Sequence, residues 1–212
     1  MAGRKLDDRL QELRLLRRNP PTPEIDSILR KAFSYRSGLV IAEAARCVGE
    51  LRLLEWIPEL LAAFDRLFVD PVKSDAKCWG KTAIIKALTQ LDYSESPPFM
   101  RGLRHVQMEP VYGGQEDSAP QLRAHCALAL VQCSDISRYE ILRSLVDAMS
   151  DPADPVRIEA VRALNQLGGD ESLLLLRLKA HLGDERPIIV GHVFDALLNM
   201  EASAPCPSLR SF

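Results

Sequence analysis

The chain has 212 residues, 47% of them hydrophobic and 26% charged, which supplies both a core and a soluble surface. Its 27 basic and 29 acidic residues leave a formal net charge of −2, which argues against a nucleic-acid binder driven by bulk electrostatics. No apolar run reaches the ~18 residues that a bilayer span needs, so no membrane span is expected.

Taken in chain order, residues 1–21 read MAGRKLDDRLQELRLLRRNPP. Basic residues occur without an uninterrupted apolar segment, so the stretch does not read as a secretory signal. Leu6, Leu10, Leu13 and Leu16 share one helical face, with Arg4, Lys5, Arg9, Arg14, Arg17 and Arg18 around it. The stretch is expected to be a capping helix and linker, because the end of a repeat array needs a polar cover. The other reading is a helix donated to a partner or an anionic surface.

From 22 to 200 the periodicity is helical throughout. VIAEAARCVGEL (40–51), GKTAIIKALTQL (80–91), LRAHCALALVQC (122–133), VRIEAVRALNQL (156–167) and IVGHVFDALLNM (189–200) align with one another. The shared core A-L-x-x-L recurs at spacings of 33–42 residues, the signature of a helical solenoid. Partner helices fall between them at 22–33, 56–68, 96–106, 137–149 and 171–182. One such pair cannot bury its apolar faces alone, so pairs must stack. Asp154 and Pro155 read as the N-cap and first-turn residue of the helix at 156–167. No strand is predicted. Residues 107–119 (QMEPVYGGQEDSA) form a longer loop that carries Val111 and Tyr112. Residues 201–212 have the composition of a loosely held tail.

This pattern resembles the HEAT repeat family, and in particular the short bacterial type whose second helix opens with Asp, then Val-Arg, then Ala-Leu. The resemblance covers about residues 22–200 and implies an all-α, right-handed α-α superhelix of about five helix pairs. It further implies that an aspartate in each turn and a basic residue six positions on bond between neighbouring repeats. Those positions are Asp75 with Lys81, Asp117 with Arg123 and Asp151 with Arg157. Asp184 matches the aspartate, but Val190 stands at the basic position. Tyr35 and Ile41 replace both in the first unit. The ladder is therefore expected to cover the middle and fade at both ends.

Candidate chemistry is sparse. The five cysteines are odd in number and form no CxxC, which suits reduced thiols in a cytoplasmic protein. His125 and His192 share a register two repeats apart, so packed helices hold them roughly 16–20 Å from each other, too far to share a metal. There is no HExxH, phosphate-binding glycine loop or Cys/His cluster. No catalytic residue, cofactor or metal site is expected.

The outward positions of the second helices give Glu43, Arg46, Glu50, Lys86, Gln90, His125, Gln132, Glu159, Arg162, Gln166, His192, Asp195 and Asn199. This strip is either a solvated face or the lining of a groove for another protein or peptide. Lys86, His125, Glu159, Arg162 and His192 are the candidate binding residues, with Arg162 as the anchor. The resulting expectation is a non-catalytic binding scaffold. The resemblance also implies an alternative, a bilin lyase or lyase-like chaperone subunit acting on a tetrapyrrole carrier.

Overall fold

A computed structural model describes residues 2–17 and 24–203. Arg18, Cys206, the linker at 18–23, the tail from 204 onward and the side chains of Arg4 and Lys5 lie outside the described residues.

Twelve α-helices occur among the described residues. After α1 (Ala2–Leu16), five pairs follow in order. They are α2 (Ile25–Phe33) with α3 (Gly38–Glu50), and α4 (Ile57–Arg66) with α6 (Trp79–Gln90), the short α5 (Pro71–Ser74) lying between. Next come α7 (Pro97–Leu103) with α8 (Pro120–Ala129), α9 (Arg138–Ala148) with α10 (Asp154–Leu167), and α11 (Gly169–Leu182) with α12 (Pro187–Ser203). The second helices stack in sequence: α3 on α6, α6 on α8, α8 on α10 and α10 on α12.

The recurrent A-L-x-x-L positions build the core. Val48, Leu88, Leu130 and Leu164 hold the same register and are fully buried. Their alanine neighbours let the stacked helices approach closely, and a buried row of this kind excludes water from the whole inter-repeat seam.

Three local expectations need correction. Residues 107–119 contain a hairpin: β1 (Met108–Val111) pairs antiparallel with β2 (Gly114–Asp117), with Met108 opposite Asp117 and Val111 opposite Gly114. Gly113 takes φ +88 at the turn, the left-handed value that the second central residue of a type II turn requires. The strands carry no alternating apolar face, so periodicity had nothing to detect. Glu109 anchors them by accepting hydrogen bonds from Lys77 N–H (2.6 Å), Gln107 Nε2 (2.7 Å) and Ser118 Oγ (2.6 Å).

Second, Asp154 does not cap α10. Ala153 precedes the helix, and Asp154 in the first turn pairs with Arg157 and Arg186. Third, Glu43 is buried rather than solvated. The α1 helix lies against α3, and Arg14 (3.7 Å), Arg17 (3.3 Å) and Arg46 (2.7 Å) surround the Glu43 carboxylate. Arg17 also pairs with Glu50. The leucine face of α1 packs inward, with Leu13 fully buried, and Asp7, Asp8 and Gln11 point to solvent.

Candidate functional site

The turns within the later helix pairs set aspartates against basic side chains of the second helices. Asp117, Asp151 and Asp184 each accept a hydrogen bond from the backbone N–H two residues on, at Ala119 (3.0 Å), Ala153 (2.8 Å) and Arg186 (3.0 Å). A short acceptor can close its own turn in this way. The carboxylate keeps acceptor capacity on both oxygens for a cation.

Arg123 is buried and makes two bonds to Asp151 (2.7 and 3.0 Å), one to Asp117 (2.7 Å) and one to the His105 carbonyl (3.0 Å). Arg157 repeats the reach one unit on, with two bonds of 3.1 Å to Asp184. It meets Asp151 only at the backbone carbonyl, at 2.8 Å. The expected Asp151–Arg157 carboxylate pair is therefore displaced by one repeat. An arginine fork spans the gap between turns and engages both oxygens of the next aspartate.

Asp184 belongs fully to the ladder although Val190 breaks its own step. Burial alone would raise its carboxyl. Lys179, the Arg186 N–H and Arg157 outweigh that and hold it at about 2. Lys81 does not reach forward. Its single ammonium stays with Asp75 at 3.0 Å and the Leu67 carbonyl at 3.3 Å, both side chains wholly buried.

The first joint instead relies on close packing. A Cβ on Gly38 would lie 2.2 Å from the Asp75 carboxylate, so only glycine fits there.

Replacing Asp151 by alanine removes both partners of the Arg123 fork on that side and frees the Ala153 N–H. The expected cost is about 1–3 kcal/mol. A denaturant midpoint unchanged by Asp151→Ala would show that the ladder does not bind repeats together.

On the opposite, helix-lined face, α6, α8 and α10 form a groove of about 340 Å³. Lys86, Gln90, His125, Gln132 and Gln166 line it over a floor that includes Leu128 and Ala129. Lys86 and His125 thus come together as the sequence placed them. Burial, with Lys86 nearby, pushes His125 down to about 4. It is a neutral ring at pH 7, offering one donor and one acceptor.

Glu159 and Arg162 do not line this groove. They pair with each other at 2.8 Å nearer the start of α10, exposed Arg162 against half-buried Glu159. His192 lies beyond them on α12 and is half-buried.

The sequence placed Gln90, Gln132 and Gln166 in the outward strip but not among the candidate binding residues, although they occupy the same position in three consecutive repeats. That signal was present in the alignment of the second helices. None of the three, nor Lys86, has a hydrogen-bond or ion-pair partner among the described residues.

The four described cysteines are buried free thiols. Burial raises Cys47 to about 12, Cys78 to about 11 and Cys133 to about 12, and raises Cys126 well above the usual thiol value. All four are protonated at neutral pH, the form that is not nucleophilic. Among the described residues, no group of three His, Cys, Asp or Glu side chains is placed to hold a metal ion. No described helix is long and apolar enough to cross a membrane.

Residues 114–192 match the family model described as HEAT repeats, a span that begins at β2 and runs through both forks of the ladder. No curated protein matches the chain.

Proposed function

We propose that the chain, whose residues 114–192 match the HEAT repeat model, is a non-catalytic scaffold that binds an extended segment of another protein along the groove of α6, α8 and α10. The observation that carries this reading is the row of unpaired Gln90, Gln132 and Gln166 beside Lys86. A glutamine amide has the donor and acceptor of a peptide group, so it can bond the backbone of an extended chain without reading its side chains. Stacked helices lie about 8–10 Å apart and an extended chain rises about 3.3 Å per residue, so each repeat meets about every third residue of the ligand.

Lys86 supplies the unpaired cation for a carboxylate on that segment, and neutral His125 adds a further polar contact. Arg162 is a weaker anchor than its sequence position implied, because Glu159 already occupies it. The buried free thiols support a reducing compartment, the cytoplasm.

The test uses the polypeptide that the full chain retains from its own lysate, purified and titrated against variants. Lys86→Glu is expected to weaken binding at least tenfold while leaving the thermal melt unchanged, because Lys86 is exposed. Arg162→Glu is expected to have the smaller effect. Affinity that survives Lys86→Glu and Gln132→Ala together would overturn the groove reading.

A further inference from the structure

The first and last described helices of the stack are finished differently. At the N-terminal end, α1 buries its leucines against α3 and shows Asp7, Asp8 and Gln11 to solvent. At the other end, α12 carries the face that every earlier second helix uses to hold its successor. Ala45, Ile85, Ala127 and Val161 occupy one position of the aligned helices and are all completely buried. The residue at that position in α12 is Phe194, 52% exposed.

One turn on, Gly49, Thr89, Val131 and Asn165 are buried or half-buried, whereas Leu198 is 66% exposed. One turn back, Gly191 is exposed, with no atom within 4 Å of where a Cβ would lie. Ile188 extends this apolar face, and the adjoining α11 adds exposed Leu174 and Leu178.

We propose that this face pairs with the same face of a second copy, giving a closed two-fold dimer through α12. This inference is independent of the groove and goes beyond the reading above. Four observations favour a copy of this chain as the occupant. The face is a stacking surface built for a helix of the same design. At the opposite end α1 already lies against α3 and shows a mainly polar exterior; among the described residues the open stacking face of a second copy is its own α12, so like meets like. That arrangement closes at two instead of growing into a fibre. The exposed apolar side chains amount to on the order of 600 Å² per copy, near the ~800 Å² per partner of a stable interface. Crossing the two helices antiparallel sets each Leu198 against the open space at the partner copy's Gly191, filling a gap that nothing in the single chain fills.

Sedimentation equilibrium of the full chain tests this. The expected mass is twice 23.7 kDa at micromolar concentration. Phe194→Glu and Leu198→Glu are each expected to give the single-chain mass with helicity and melt retained, since both side chains are already exposed. Gly191→Arg is a second route to the same result, at an exposed position where an added Cβ meets nothing within 4 Å. Leu15→Glu, on the exposed side of α1, is expected to leave the dimer intact. A single-chain mass for the unaltered protein at ~100 μM would overturn the proposal. So would a dimer that survives all three α12 substitutions, or one lost with Leu15→Glu alone.

Discussion

Replacing Asp75 by alanine is expected to cost about 3–5 kcal/mol, because it strands a buried lysine. Its carboxylate accepts from Gly80 N–H (2.6 Å), Lys81 N–H (3.0 Å) and Lys81 Nζ (3.0 Å), all inside the protein. Two effects follow from its removal. The first turn of α6 loses the acceptor for two N–H groups that have no helical partner. The Lys81 ammonium, wholly buried over the Phe68 ring, keeps only the Leu67 carbonyl. A buried unpaired charge dominates the sum, so Asp75→Asn is expected to be nearly as harmful although its shape is conserved. The double change Asp75→Ala with Lys81→Met removes both charges and is expected to recover part of the loss. Urea unfolding of the three variants checks this. A double variant less stable than Asp75→Ala would mean that Lys81 is not the source of the cost.

Leu164→Ala is the second large effect, at roughly 2–5 kcal/mol. Leu164 is completely buried in the seam where α10 meets α8 and α12. Truncation leaves a void that the stacked helices close only partly, so the cavity term adds to the lost transfer energy. Glu159→Ala, one turn away on the same helix, is the control, since its carboxylate only pairs with half-exposed Arg162. A Leu164→Ala midpoint no lower than that of Glu159→Ala would contradict the helical register.

The helix pairs were legible because A-L-x-x-L is both a 3.6-residue pattern and a repeat. Each copy checks the others, and Leu88, Leu130 and Leu164 are all buried where the alignment put them. The hairpin was not legible, because Glu109 holds it by hydrogen bonds and no apolar alternation marks it.

The ladder's residues were legible, but one of its pairings was not. A spacing of six suggests Asp151 with Arg157, whereas the arginine fork passes its own turn and meets Asp184, far along the chain. Distance in sequence hides a neighbour that stacking brings close. The same reason concealed the burial of Glu43, whose covering arginines are Arg14 of α1 and Arg17, one residue past its end. At the groove, the outward register of the second helices identified Lys86 and His125 and included three glutamines, which become candidate contacts only when stacking brings them to one groove.

Site-specific photo-crosslinking tests the functional account most directly. A photoreactive residue is placed at Gln132 in the groove, at Arg143 on the exposed side of α9, or at Tyr112 on the hairpin tip, and the retained polypeptide is irradiated with each. The account predicts adducts from position 132 and none from 143 or 112. Adducts confined to 112 or 143 would contradict it and move the binding surface off the groove.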